Sequence, residues 1–245
     1  MTYWDERTEL LLGKDKLTLL SQAHVLVVGL GGVGAYATEN LARAGIGRLT
    51  IADGDVIHPS NRNRQLLALK SSEGKSKAML MEQRLKDINP DLEIESIDEY
   101  LRDEKLKDLV SRKYDYVVDA IDTLSPKVFL IIDTLAANNP LISSMGAGGK
   151  KDPAMVQIAD ISKSHSCPLA FYIRKRLHKR GIRNGFKVVF SPETIPEEAR
   201  MPLENEPNKK TTVGTISYMP AIFGCMLASV VIRDLINVPS CKTDE

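Results

Sequence analysis

Four glycines stand within six residues of this chain, in the sequence GLGGVG at positions 29–34. They follow the apolar run AHVLVV and precede VGAYATENLARAGI, in which apolar residues recur at helical spacing. A strand, a glycine-rich turn and a helix in this order bring backbone N–H groups to a phosphate. The pattern predicts nucleotide binding by Gly29, Gly31, Gly32 and Gly34. It fits NAD and ATP equally, and a tight turn without a ligand is the alternative.

An acidic residue ends the next predicted strand, RLTIAD. A carboxylate at that position can accept hydrogen bonds from ribose hydroxyls, which predicts this role for Asp53. Asp55 follows in the same segment and is a further nucleotide-binding candidate. Because NAD and ATP both contain ribose, these acids leave the choice of nucleotide open.

The segment DGDVIHPSNRNRQ, residues 53–65, presents amide and guanidinium donors beside the expected ribose position. Arginine binds phosphate oxygens in bidentate fashion and stabilises charge at a reacting phosphorus. EGKSKA then adds lysines at the start of the next predicted helix. Any one of these cations alone would be interpreted as a solvated surface charge. Together, Asn61, Arg64 and Lys77 beside the glycine turn favour a triphosphate.

Two aspartates follow the strong apolar strand in VVDAIDTLSPK. Asp119 and Asp122 therefore stand at the carboxyl end of a strand, the edge at which open α/β sheets bind ligands. One carboxylate beside a triphosphate suits Mg²⁺, so we predict that Asp122 is a metal ligand and that Asp119 supports it. The alternative for Asp122 is an N-cap of the helix that contains Pro126.

Apolar strands alternate with helical segments over the first 149 residues. This predicts right-handed βαβ units and a doubly wound, mostly parallel, Rossmann-like α/β sheet. MVQIADI and FKVVFS predict two more strands around a basic helix, PLAFYIRKRLHKRG. We expect one domain over residues 1–245, with a nucleotide-binding core over 1–149 and a C-terminal α/β elaboration over 150–245. The proline-rich segment 192–210 is expected to be a mobile loop or a crossover.

The bulk composition excludes several classes of protein. The net charge is +1, from 33 basic and 32 acidic residues, so no global field attracts nucleic acid or membranes. Three cysteines without a CxxC pair argue against a disulfide framework and a cysteine-built zinc site, and indicate the cytoplasm. Residues 211–232 carry no charge. A buried or interface helix is predicted there, with membrane contact as the less favoured alternative.

One local patch departs from this balance. Eight basic residues and no acidic residue lie between Asp160 and Glu193. Such clustering predicts a surface for a polyanion, and the alternative is a solvated face balanced by acids elsewhere. The candidate contacts to nucleic acid are Arg174, Lys175, Arg176, Lys179, Arg180 and Arg183.

Taken in order, GLGGVG, Asp53, SNRNRQ, GKSKA and DAIDT resemble the E1-like ThiF/MoeB/HesA adenylating enzymes. The resemblance implies that Asp53 binds ribose, that Arg64 with neighbouring Asn61 and Lys77 bind phosphates, and that Asp122 binds Mg²⁺. It also implies a homodimer in which an N-terminal arginine, here Arg7, reaches the ATP of the partner. These motifs cover about residues 5–150.

Within that family, sulfur-carrier activators hold zinc through two CxxC pairs, which this chain lacks. RTELLLG, the segment GAGGKKDPAMVQIADISKSHSCPLAFYIRKRLHKRGI and GTISYMPAIFGCMLASVVIRDLI resemble instead the tRNA threonylcarbamoyladenosine dehydratase branch. That resemblance implies adenylation of the threonylcarbamoyl carboxylate beside the anticodon, with release of pyrophosphate. Internal closure to a cyclic oxazolone then expels AMP.

Three alternatives remain at the level of sequence: adenylation of a ubiquitin-like sulfur carrier, an NAD-dependent oxidoreductase, and a binding-only module that senses nucleotide without catalysis. A sulfur-relay or carrier protein is a further candidate partner, whereas DNA is not expected. Cys167 precedes a predicted helix, and a thioester relay through this residue is the alternative to direct ring closure, because a helix N-terminus favours a thiolate. Cys225 is expected in the core, as free cysteines usually are.

Overall fold

Nine strands and eight α-helices occur in residues 4–202 and 211–237, which are the residues described by the computed structural model. Seven strands form one sheet in the order β3-β2-β1-β4-β5-β7-β6. The strands of this sheet are β1 (His24–Val28), β2 (Arg48–Ala52), β3 (Glu93–Ile97), β4 (Tyr116–Asp119), β5 (Leu141–Ser144), β6 (Gln157–Asp160) and β7 (Lys187–Phe190).

The helices cover both faces of this sheet. They are α1 (Glu6–Leu12), α2 (Lys14–Gln22), α3 (Gly34–Arg43), α4 (Lys77–Ile88), α5 (Asp103–Ser111), α6 (Leu124–Ala136), α7 (Pro168–His178) and α8 (Tyr218–Ile236). The residues of β1 alternate between two apolar clusters: Val25 and Val27 pack in one, and Leu26 and Val28 pack in a second on the opposite side of the sheet. The strand therefore needs a layer of helices on each side. A strand that is apolar on both sides must be covered on both sides.

All neighbouring strands from β3 to β7 are parallel, and only β6 runs antiparallel, beside β7. This confirms the predicted doubly wound, mostly parallel sheet. The strand order reverses direction between β1 and β4, because the chain moves outward through β2 and β3 and then returns to pair β4 with β1. A ligand crevice is expected at the carboxyl ends of these two strands.

Two predictions for the C-terminal part need correction. Part of the expected loop 192–210 is a strand, β8 (Arg200–Pro202), which pairs antiparallel with β9 (Thr211–Val213); residues 203–210 lie outside the described part of the chain. The uncharged segment that begins at Thr211 is therefore helical only from Tyr218. Thr211–Val213 favours a strand because it is β-branched at every position.

Helix α8 has the length and apolar composition that could cross a membrane, with a mean hydropathy of 1.7, but half of that window is buried inside the protein. Its buried face lies against α3, where Gly224 allows close approach: a Cβ there would stand 2.4 Å from the Val33 carbonyl oxygen. Near its end, Asp234 accepts hydrogen bonds from Tyr116 of β4 and Lys187 of β7. This packing accounts for the absence of charged residues on the buried side of the helix.

Candidate active site

The glycine turn is shaped by contacts with the end of β4. Gly29 has a φ of +94°, which other residues rarely adopt, and its Cα faces the carbonyl of Ala120. A Cβ on Gly34 would lie 1.7 Å from the Gly29 carbonyl oxygen, so the turn closes on itself too tightly for any side chain. A Cβ on Gly31, by contrast, would meet nothing nearer than Gln65 Nε2 at 3.8 Å. The space beside Gly31 is thus open to a ligand.

Asp53 fixes the same turn from the end of β2. Its Oδ2 accepts the Leu30 N–H at 2.6 Å, and its Oδ1 accepts the Asp55 N–H at 2.8 Å. Burial raises the pKa of Asp53, while Lys77 and the two backbone hydrogen bonds oppose that rise. Each carboxylate oxygen retains a second lone pair for a ribose hydroxyl. The predicted ribose ligand therefore also holds the phosphate turn in place.

Lys77 is brought to this side of the site by Asp55. Its ammonium lies 2.8 Å from Asp55 Oδ2, and Tyr100 donates its hydroxyl to the other oxygen of the same carboxylate. Burial raises the pKa of Asp55, but the hydrogen bonds from Lys77 and Tyr100 lower it by more, so the pKa lies below its usual value. Asp55 is therefore ionised at neutral pH and orients the buried Lys77. Asp55 itself is a support for a cation rather than an evident ligand of the nucleotide.

The segment 61–65 lies against the glycine turn. The carbonyl oxygen of Arg64 stands 3.3 Å from the position of a Cβ on Gly32, and Gln65 faces Gly31. The Arg64 guanidinium donates through Nη1 to Ser60 O and to Asn63 Oδ1, both at 2.8 Å, which leaves its other N–H groups available. Asn61 is buried and uses its Oδ1 to accept the His58 N–H. Asn61 thus shapes the loop that presents Arg64.

Beneath this edge, Asp119 and Lys127 form a fully buried ion pair with 2.8 Å between Oδ2 and Nζ. Burial raises the pKa of Asp119 and lowers that of Lys127. Ser143 donates to Asp119 at 2.6 Å, and Lys127 donates to the Ile121 carbonyl at 3.0 Å. The pair therefore fixes the loop between β4 and α6, which carries Asp122.

Asp122 is exposed on this loop, and the N-cap position of α6 belongs to Thr123. Among the described residues, no group of three or more His, Cys, Asp or Glu side chains could hold a metal ion on its own. A single carboxylate is nevertheless the donor set expected where phosphate oxygens supply further ligands to Mg²⁺. The side chains present therefore fit a metal that arrives with a nucleotide.

The contacts of the described residues do not join Arg7 to these groups. Arg7 is exposed on α1, a helix of seven residues without a buried side chain. α1 and α2 are separate helices because Gly13, with φ +86°, lies between them. Within one chain, Arg7 is therefore not part of the site.

The predicted basic helix is α7. Lys175, Arg176, Lys179, Arg180 and Arg183 are exposed there or just beyond its end. Arg174 differs, since it is half-buried and donates to the Ser164 carbonyl at 2.6 Å. It therefore holds the segment that precedes α7, whereas the other five cations face solvent.

The two described cysteines differ in burial; Cys241 lies outside the described residues. Cys167 is buried at the N-cap position of α7. Cys225 is exposed, so its predicted place in the core is wrong. It lies at the solvent-exposed edge of the contact between α8 and α3, where it accepts a weak hydrogen bond from Asn40 Nδ2 at 3.6 Å.

Three supports of the site were missed from the sequence. Lys127 had a detectable signal, because a lysine in the otherwise apolar helix PKVFLIIDTLA needs a buried partner. Pro220 and Gly224 of α8, which stand against Gly32 and Val33, had none, because their contacts join segments almost 200 residues apart.

Comparison with known proteins adds independent information. A family model described as the ThiF family matches residues 6–244. The tRNA threonylcarbamoyladenosine dehydratase of Bacillus subtilis (strain 168) is 40% identical over 244 residues, covering 97% of this chain and 96% of that protein. The enzyme of the same name from Escherichia coli (strain K12) is 40% identical over 203 residues, covering 78% and 75% of the two chains.

A solved structure resembles the present one closely. The crystal structure of E. coli tRNA N6-threonylcarbamoyladenosine dehydratase, TcdA, in complex with ATP matches with a TM-score of 0.84 and 34% identity. The match covers 94% of this chain and 92% of that chain.

We expect Gly31→Ala to separate nucleotide binding from folding. Because the added methyl enters open space at a φ outside the left-handed region, the free energy of unfolding should change by less than about 1 kcal/mol. Because it blocks the approach of a phosphate, affinity for ATP should fall about 10-fold or more. Gly34→Ala is the control, since its methyl meets backbone and should destabilise the fold. Titration calorimetry and urea unfolding measure the two effects; unchanged ATP affinity in Gly31→Ala would contradict this geometry.

Lys127→Met should destabilise the protein by about 3–5 kcal/mol, because it leaves Asp119 buried without its countercharge. The pKa of Asp119, already raised by burial, should rise further, so the folded state binds more protons than the unfolded state. Stability of the variant should therefore increase as the pH falls.

Urea unfolding between about pH 5 and 8 tests this sign. The double variant Asp119→Asn/Lys127→Met is the control and should be more stable than Lys127→Met at neutral pH. A single variant whose stability is independent of pH would show that Asp119 is not the uncompensated charge.

Proposed function

The chain belongs to the ThiF family, and we propose that it is an ATP-dependent adenylating enzyme whose substrate is tRNA N6-threonylcarbamoyladenosine. One observation carries the proposal: a single sheet edge gathers the open glycine turn, the ribose-side Asp53 and the cations Arg64 and Lys77. This set suits cleavage of a triphosphate. The relatives that match nearly the whole chain, and bear the dehydratase name, support the choice of substrate.

In the proposed reaction, the threonylcarbamoyl carboxylate attacks the α-phosphorus of ATP. A carboxylate O–P bond forms, and the bond to the β-phosphate oxygen breaks, with pyrophosphate as the leaving group. A nucleophile of the same threonylcarbamoyl group then attacks the acyl carbon and expels AMP, which closes the ring. The second step needs no protein nucleophile, so buried Cys167 has no required part in it.

The roles of the side chains follow from their positions. Backbone N–H groups of the glycine turn and the N-terminus of α3 face the phosphates, and Asp53 faces the ribose. Arg64 offers the N–H groups that Ser60 and Asn63 do not use, and its charge favours the pentacoordinate phosphorus over the ground state. Lys77, oriented by Asp55, supplies a second cation.

We further propose that Asp122 holds Mg²⁺ together with phosphate oxygens. When bound, the ion supplies positive charge that stabilises the departing pyrophosphate. The chain's own part is to fix Asp122 in position, through the Asp119–Lys127 pair beneath its loop.

A homodimer is part of the proposal, with Arg7 supplied to the partner's ATP. Arg7 is exposed on a helix that also exposes Leu10 at 81% and Leu11 at 82%. Such exposure of two leucines is costly in a monomer and suits a helix that packs on a second copy. We place the enzyme in the cytoplasm, where its tRNA substrate and ATP are found.

The alternative functions are less well supported. Adenylation of a ubiquitin-like sulfur carrier would use the same site, but the chain has no CxxC pair. Hydride transfer by an NAD-dependent oxidoreductase would give no role to Arg64 and Lys77, the cations beside the glycine turn.

We expect Arg64→Ala to lower kcat at least about 100-fold, because a cation positioned at developing charge contributes several kcal/mol to catalysis. Arg62→Ala is the matched control: Arg62 lies two residues away and pairs with Glu73 at 3.3 Å on the surface. Both variants should fold normally. The measurement is pyrophosphate release together with the mass of the tRNA nucleoside, with wild-type protein, ATP and Mg²⁺ as reference.

If Arg64→Ala retains near wild-type turnover, the phosphate assignment is wrong. If the wild-type protein releases pyrophosphate with a carrier protein but leaves the nucleoside mass unchanged, the tRNA assignment is wrong.

Mixing Arg7→Ala with Arg64→Ala should restore activity that neither variant has alone. In a mixed dimer with two-fold symmetry, the Arg7→Ala subunit keeps Arg64 and receives Arg7 from its partner, so one of two sites is complete. Random exchange gives about half mixed dimers and hence about a quarter of wild-type activity. Absence of recovery, with subunit exchange demonstrated by native mass spectrometry, would rule out action of Arg7 across the dimer.

A further inference from the structure

Two aromatic side chains are exposed on α7 next to the basic residues. Phe171 is 53% exposed and Tyr172 is 51% exposed, and their rings meet edge to face with centroids 5.3 Å apart. The helix packs into the protein through its other face, by Ala170, Ile173 and Leu177. Neither aromatic ring is therefore needed to fill the core.

We propose that Phe171 and Tyr172 form a stacking platform for an unpaired base of the RNA loop that carries the substrate nucleoside. This inference rests on the proposed function and extends it from charge to base recognition. Phe171 and Tyr172 together are called the platform.

The charge around the platform selects the partner. Helical spacing places Lys175 and Arg176 one turn beyond Phe171 and Tyr172, on the same face. Lys179 continues this face, and within residues 4–202 and 211–237 neither lysine has a carboxylate within salt-bridge distance. Aromatic rings beside unneutralised cations match a flexible strand with exposed bases and phosphates.

The platform also lies on the side of the molecule where the chemistry is proposed. Cys167 is the N-cap of α7, and its Sγ stands 3.6 Å from the position of a Cβ on Gly146, just beyond the carboxyl end of β5. Farther along α7, Arg176 donates to Ser125 Oγ at 2.8 Å in the first turn of α6. Ser125 follows Asp122 by three residues. The surface of α7 is therefore continuous with the edge that holds Asp122.

The chemistry of the substrate requires such a contact. The threonylcarbamoyl group is attached to a base of the RNA loop. For its carboxylate to reach ATP in a crevice, the loop opens and its bases lose their stacking on one another. Proteins replace that stacking with aromatic side chains, which accept any base because each base has a π-face. A double helix offers no free base faces, so the platform favours a loop over a duplex.

The test uses Phe171→Leu and Tyr172→Leu in the full-length protein, because leucine keeps apolar character but removes the ring. We expect KM for tRNA to rise about 10-fold in each variant, which is about 1.4 kcal/mol and within the range for one stacked base. Affinity for ATP should not change. Phe129→Leu is the matched control, since Phe129 is an aromatic ring of similar exposure, 45%, that lies on α6 outside the platform. It should change KM less than twofold.

Binding of two RNA probes separates stacking from charge. Wild-type protein should prefer an anticodon stem-loop over a blunt duplex of the same number of phosphates, and both leucine variants should lose that preference. Lys175→Ala and Lys179→Ala should keep the preference but lower the slope of affinity against salt concentration, because they remove phosphate contacts.

Three outcomes would overturn the platform. The first is an unchanged KM for tRNA in both leucine variants while the wild-type protein converts tRNA. The second is an equal rise in KM for Phe129→Leu. The third is a shift from dimer to monomer in the leucine variants, measured by sedimentation, which would assign this face to a second copy. If the wild-type protein does not act on tRNA at all, the proposed function itself fails instead.

Discussion

The structure depends on one close backbone contact, the closure of the glycine turn on the end of β4. Gly34 leaves no room for a Cβ because the Gly29 carbonyl occupies that space, and Ala120 presses on both glycines. This contact sets where α3 begins, and so where its N-terminal donors point. It also fixes the distance between the phosphate turn and the loop of Asp122. A larger residue in the turn would move both halves of the site apart.

The residues around this turn are held in position by side-chain contacts within the protein. Asp53 binds the Leu30 N–H, Asp55 holds Lys77, and Lys127 fixes the loop that follows Asp119. α8 presses on the turn from the far end of the sequence through Pro220 and Gly224. The C-terminal segment therefore contributes to the geometry of the site as well as to the core.

The sequence predicted the sheet, and the position of Asp53 beside the glycine turn, because both depend on local signals. The apolar strand before GLGGVG, the helix after it and Asp53 at the next strand end are each recognisable within about 30 residues. It did not predict β8, because Arg200–Pro202 becomes a strand only by pairing with Thr211–Val213. It placed Cys225 in the core because free cysteines are usually buried, and the periodicity of an evenly apolar helix does not identify its exposed face. It missed the Asp119–Lys127 pair because the packing of α6 against β4, and not the local sequence, decides which carboxylate meets Lys127.

The cations of this chain divide into two kinds according to their electrostatic surroundings. Lys77 and Lys127 are buried and paired, so added salt screens them little, and a carboxylate holds each of them in a fixed position. Lys175 and Lys179 are exposed without such partners, so they interact with whatever anion approaches and are sensitive to salt. The first kind can shape an adenylation site without attracting a polyanion. The second kind can attract RNA without disturbing the site. A chain of near-zero net charge can thus combine both tasks, because position rather than number decides what each cation does.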